Sequence, residues 1–298
     1  MDSILSRNPF QDLSPDDINQ IFEILKSQPM LLFQVHSVRA FIAQKRLNHY
    51  LSHQKIAFAN GQESSIGNTA EYNAHALLGD FYMLRPMQLI EPLRAIEKIL
   101  TTAPHRKVLT VGPRSEMEIF GLYSVGFSPE NITAIDLISY SPLVEVGDMH
   151  SLPYESNSFD VIILGWVLAY STEPHRAASE VIRCLKHGGI IAVGNDYNPV
   201  SNGVNKAIFI DNELHPKTVE EDKKFRPATV EDLISLFGEH VRKVYFRHEP
   251  DNASLGTGKQ LMAIFEIEKQ SATFTEETEE IKTEEINQTS DSAQMIWF

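Results

Sequence analysis

The chain has 298 residues, a single cysteine and a formal charge of −14. One thiol excludes an internal disulfide, and no apolar run approaches the roughly 20 residues of a membrane-spanning helix. The charge disfavours nucleic acid, whose phosphates select basic stripes; the 42% hydrophobic content and a Met1–Phe10 start without a secretory pattern point to a soluble, cytoplasmic protein.

Residues 1–106 read as a helical cap. Ser14, Pro15, Asp16 and Asp17 form a helix start: a capping hydroxyl, a first-turn proline and two acids. Ile18, Ile21, Phe22 and Leu25 then recur at helical spacing. A longer pattern covers roughly Leu31 to Phe58, and a third runs from Met87 to Leu100. Between them, Asn60 to Asn73 is polar and reads as a loop.

Residues 107–269 alternate strand and helix. Short apolar runs at Lys107–Val111, Ile132–Ile135, Leu143–Val146 and Phe159–Leu164 end at Gly112, Asp136, Gly147-Asp148 and Gly165. Glu173 to Lys186 reads as a helix stopped by Gly188-Gly189, and Ile190–Val193 as the next strand. The pattern predicts an α/β fold with a mostly parallel sheet and helices on its faces. Thr229 to Asp232 opens a further helix, and Val241–Arg247 with Gln260–Glu268 predicts a closing antiparallel hairpin. Residues 270–298 carry seven acids against one base and are too polar to order themselves; they end in the apolar Met295, Ile296, Trp297 and Phe298, which could dock on this chain or on a partner.

Two stretches carry a resemblance. Asp148-Met-His-Ser-Leu-Pro-Tyr-Glu-Ser-Asn-Ser-Phe-Asp-Val-Ile162 and Glu180-Val-Ile-Arg-Cys-Leu-Lys-His-Gly-Gly189, following a strand, a glycine turn and a strand-end acid, resemble the class I, Rossmann-like methyltransferases, small-molecule branch. The resemblance spans about Lys107 to Lys269 and implies S-adenosyl-L-methionine as cofactor. It implies Gly112 where the cofactor's methionine part approaches, Asp136 on the ribose hydroxyls, Asp148 on the adenine amino group and Met149 on the ring. Asp160 falls in a structural element of the family.

Two departures stand out. The family's G-x-G-x-G turn is here Gly112-Pro-Arg-Ser-Glu116. Neither Arg114 nor Glu116 follows a positive-φ path cheaply, which predicts a reshaped turn. Arg114 on the cofactor's carboxylate with Glu116 on its ammonium is one reading; surface charge at a helix start is the other. Asp136 and Asp148 are also only 12 positions apart, too few for a helix and a strand, so a loop around Ser139–Pro142 is expected, which leaves the adenine side more open or covered by Tyr140 or another region.

Tyr82 and Arg85, just before the first strand, are placed to reach the cofactor, or form a plain helix junction. Catalytic candidates at the strand carboxyl ends are Tyr170, His175 and Asp196, each with a structural reading beside it: core, helix cap and loop acid. They tilt the expected transfer to a small organic acceptor toward oxygen. A methyltransferase-like binding module without activity is the competing reading, motivated by the altered turn. No metal-ligand pattern is seen among the eleven histidines, and Asn198–Pro227 is long enough for a lid.

Overall fold

The computed structural model describes residues 13–53, 56–59, 85–197, 208–210, 213–215, 227–250 and 260–269. The expected loop at Asn60–Asn73, Tyr82, nearly all of the expected lid, most of the hairpin turn and the tail with Met295–Phe298 lie outside these residues.

Seven strands form the central sheet: β1 (Val108–Val111), β2 (Ile132–Asp136), β3 (Glu145–Val146), β4 (Phe159–Gly165), β5 (Leu185–Asp196), β6 (Val241–His248) and β7 (Gln260–Ile267). Their order across the sheet is β3-β2-β1-β4-β5-β7-β6. Neighbours pair in parallel from β3 to β5, and β7 runs antiparallel to both β5 and β6. All four residues of β1 are buried, as expected for a central strand covered on both faces. The chain leaves β1 in one direction toward β2 and returns on the other side at β4. That reversal opens a crevice at the carboxyl ends of β1 and β4, where open α/β sheets bind ligands.

The N-terminal region supplies α1 (Pro15–Ser27), α2 (His36–His53), α3 (Arg85–Ile90) and α4 (Glu97–Leu100). Ser14 and Asp17 form the reciprocal capping box of α1. The expected third helix is broken: a 3₁₀ stretch with Pro92 in its first turn, Glu91–Ala95, separates α3 from α4. α5 (Glu116–Val125) starts at the Ser115 cap and stops at Gly126, whose φ of 106° suits only glycine. α5 is buried all round, because the sheet lies on one side and α2 on the other. Ala40, Ala43 and Leu47 of α2 pack with Met117 and Phe120 of α5 and with Ala134 of β2.

Three expectations need correction. The helix after β4, α6 (Pro174–Cys184), ends earlier than the sequence pattern suggests, and β5 starts at Leu185. Gly188-Gly189 does not stop the helix; it sits in an irregular stretch of β5, where the register with β4 shifts between Phe159 and Val161. The third apolar run forms only the two-residue β3. The short loop after β2 is present, but Ile138-Ser139 pairs there with Ala57-Phe58. α7 (Val230–Ser235) has the expected capping box, Thr229 with Asp232. Among the described residues, no helix is long and apolar enough to cross a membrane.

Candidate active site

A cavity of about 520 Å³ opens over the carboxyl ends of β1, β2 and β4. Its size is that of a small-ligand pocket. Nearly every wall comes from a strand end or the turn that follows it, which is why its residues fall at the ends of the apolar runs.

The turn after β1 is reshaped rather than glycine-rich. Gly112 has a φ of 71°, and a Cβ there would lie 2.7 Å from Val167 Cγ2. Arg114 itself enters the left-handed region, with a φ of 37°. Its backbone N–H donates to Asp136 Oδ2 at 3.1 Å, which holds the turn against the end of β2. A non-glycine residue in this conformation is a strain kept by surrounding contacts. The Ile138 N–H donates to the other Asp136 oxygen at 3.2 Å. Burial pushes the Asp136 carboxyl up to about 6, and those N–H groups pull in the opposite direction.

Gly147, Asp148 and Met149 form the next wall. Asp148 Oδ1 accepts from the His150 backbone N–H at 2.9 Å and contacts His150 Nδ1 at 2.6 Å. The His150 bond holds the Asp148 carboxyl below its ordinary range. His150 Nε2 meets the buried Ser171 Oγ at 2.7 Å, and Ser171 accepts the Glu173 N–H at 3.1 Å. His150 therefore ties the segment after β3 to the segment after β4. In the sequence, the one signal for His150 is its position two residues after the strand-end acid Asp148.

At the far end, Trp166 (φ 62°) packs one face of its indole on Gly194, where a Cβ would lie 3.2 Å from ring carbons. The Arg85 guanidinium covers the ring at 4.3 Å and donates to Asp196 Oδ1 at 2.5 Å. Arg85, Trp166, Tyr170 and Asp196 all line the cavity.

Of the residues singled out from sequence, Gly112, Arg114, Asp136, Asp148, Met149, Arg85, Tyr170 and Asp196 therefore share one cavity. Two do not. Glu116 is wholly buried on the outer side of α5, in a forked ion pair with Arg46 of α2 at 2.6 and 3.0 Å. It also accepts the Ser141 hydroxyl, so it is an anchor for the cap and not a partner for a ligand in the cavity. His175 is exposed in the first turn of α6 and does not line the cavity, because the helix turns it to solvent. Tyr140 does not line the cavity either; it is buried and its hydroxyl accepts the Glu116 N–H at 3.2 Å. Asp160 lies at the opposite end of β4, bound to Arg106, Lys107 and Lys186.

Residues 117–193 match the family described as the methyltransferase domain. The strand order and the antiparallel β7 give the chain a Rossmann-like fold around that methyltransferase-domain match. Over 108 residues, 36% of its length, the chain is 30% identical to the demethylmenaquinone methyltransferase of Symbiobacterium thermophilum, and the match spans 40% of that protein. Among solved structures it is similar to the 1,6-didemethyltoxoflavin-N1-methyltransferase of Burkholderia thailandensis, with 13% identity, coverage of 72% of this chain and 95% of that one, and a TM-score of 0.45. The PH0226 protein of Pyrococcus horikoshii gives 17% identity, coverage of 61% and 89%, and a TM-score of 0.43.

Proposed function

We propose that this protein binds S-adenosylmethionine in the cavity and transfers its methyl group to an oxygen of a small organic acceptor. The observation that carries the reading is the convergence of Gly112, Asp136 and Asp148-Met149 on one cavity at the point where the strand order reverses. The chemistry of the walls fits the cofactor. Asp136 presents acceptor oxygens for vicinal ribose hydroxyls, Asp148 an acceptor for an adenine amino group, and Met149 an apolar surface for the ring. Arg114 and Arg85 bring cations toward a carboxylate.

When bound, the cofactor supplies an electrophilic methyl on a sulfonium, which leaves as a neutral thioether. The protein's task is then alignment and exclusion of water. Trp166 and Tyr170 give the acceptor end flat apolar walls. Asp196 sits beside them and can take a hydroxyl proton, with Arg85 holding its carboxylate in place. The cavity's size supports a small acceptor.

The test is calorimetry with S-adenosylmethionine and S-adenosylhomocysteine. The wild type is expected to bind both, and Asp136→Ala to bind each at least about tenfold more weakly while remaining folded. An Asp136→Ala protein that binds like the wild type would refute the ribose assignment. No binding by the wild type at millimolar ligand would refute the reading as a whole.

A further inference from the structure

Three glycines stand side by side at the carboxyl ends of three adjacent strands. Gly165 of β4 pairs with Gly194 of β5. Gly112 follows Val111, whose partner in β4 is Leu164, the residue before Gly165. Each bare glycine is covered by a different side chain. Val167 covers Gly112 and Trp166 covers Gly194, both apolar. The middle one, Gly165, is covered by a carboxylate: a Cβ there would lie 3.2 Å from Glu118 Oε2 and 3.6 Å from Oε1. Gly112 and Gly165 both line the cavity, so this carboxylate stands directly behind its floor.

Glu118 is a costly residue to keep there. It is 5% exposed, and its one hydrogen-bond partner among the described residues is the hydroxyl of Thr110, on Oε1. Its neighbour on the same helix, Glu116, has an arginine, whereas Glu118 pairs with no cation among the described residues. Two residues apart on a helix point to roughly opposite sides, so Glu116 reaches out to α2 and Glu118 reaches in to the sheet. The Asp136 carboxylate, of the same sign, adds repulsion. A buried carboxylate without a cation is unfavourable unless it is protonated or a ligand brings the missing charge. Burial accordingly pushes it up to about 7.

We infer that Glu118 is the counter-ion for the ammonium group of the cofactor's amino-acid portion, received through the gap left by the Gly165 side chain. An ammonium brings both the charge and the hydrogen-bond donor that Oε2 lacks; a sulfonium would bring charge alone. This rests on the cofactor reading above, and moves the role that sequence spacing offered to Glu116 one half-turn along the same helix.

The test compares two ligands that share the nucleoside. S-adenosylhomocysteine carries the ammonium, and 5′-methylthioadenosine lacks the whole amino-acid portion. Glu118→Gln is expected to bind S-adenosylhomocysteine at least tenfold more weakly and 5′-methylthioadenosine within twofold of the wild type. A second measurement needs no variant. At pH 7 the wild type should release up to about half a proton more on binding S-adenosylhomocysteine than on binding 5′-methylthioadenosine, read by calorimetry in two buffers of different ionisation enthalpy. Both ligands occupy the Asp136 end, so its titration cancels in the difference. Equal binding of S-adenosylhomocysteine by variant and wild type overturns the inference, as do equal losses for both ligands or equal proton release. A wild type that binds neither ligand overturns the cofactor reading itself, a result distinct from all of these.

Discussion

Arg46→Ala should unlock the N-terminal cap from the turn that shapes the cavity. The Arg46 guanidinium meets both Glu116 oxygens, at 2.6 and 3.0 Å, and Glu116 is completely shielded from solvent. Removing the arginine leaves a buried carboxylate whose remaining side-chain partner among the described residues is the Ser141 hydroxyl. Breaking a buried pair from one side costs about 3–5 kcal/mol. Because the Arg46 side chain is 34% exposed, water can reach part of the site, which places the cost near the lower end, about 3 kcal/mol. At about 2 °C per kcal/mol for a chain of this size, the melting temperature should fall by about 6 °C. Glu116→Gln should cost less, since the charge it leaves without a carboxylate, on Arg46, is partly exposed to water. The double variant should show a coupling of at least about 1 kcal/mol in a cycle read by thermal or urea melting. S-adenosylhomocysteine affinity should fall with either single change to a similar small extent, through the turn. A melting temperature within 1 °C of wild type for Arg46→Ala, or a loss of affinity confined to Glu116→Gln, would refute the anchoring role and return Glu116 to the ligand.

Three further outcomes follow from the same geometry. Gly112→Ala combines a left-handed φ with a contact 2.7 Å from Val167, so it should cost about 2–4 kcal/mol or displace the turn, and in either case weaken S-adenosylhomocysteine binding in a titration. For Glu118, the native group stays protonated to about 7 whereas the unfolded one ionises near 4.5, so the unfolded chain binds fewer protons between those values and stability falls as pH rises through them. Glu118→Gln should therefore melt higher than wild type at pH 8, by an amount of order 3 kcal/mol at most, with the gap closing toward pH 4.5; a variant less stable at pH 8 would contradict this. Asp196→Asn and Tyr170→Phe should lower methyl transfer to a hydroxyl acceptor about 10²-fold or more if either handles its proton, while S-adenosylmethionine affinity stays within a few-fold. An unchanged turnover in both would exclude them from that step.

Much of this was legible in the sequence because the site is built from strand ends. A run such as Ile132–Ile135 followed by Asp136 marks both the strand and the residue placed at its carboxyl end, so Asp136, Asp148, Met149 and Gly112 could be found without coordinates. What failed was the orientation of helical residues. His175 and Glu116 lie near helix starts where the residue number says little about which way the side chain points. Glu118 was passed over because α5 is buried on both sides, and its outer cover comes from α2, some 70 residues earlier. The Arg46–Glu116 pair is equally non-local. The end of α6 was misplaced because Gly188-Gly189 looked like a stop signal, whereas the chain uses it inside a strand irregularity. Arg85 was singled out, but not its stacking on Trp166, which depends on a broken helix and on the bare Gly194.

The central claim is that one cavity, at the carboxyl ends of β1, β2 and β4, holds S-adenosylmethionine. A crystal structure of the full chain grown with saturating S-adenosylhomocysteine tests it most directly. The ligand is expected in that cavity, with its ribose hydroxyls within hydrogen-bond distance of Asp136 and its adenine between Asp148 and Met149. A ligand bound elsewhere, or no ligand at a concentration that saturates binding in solution, would contradict it.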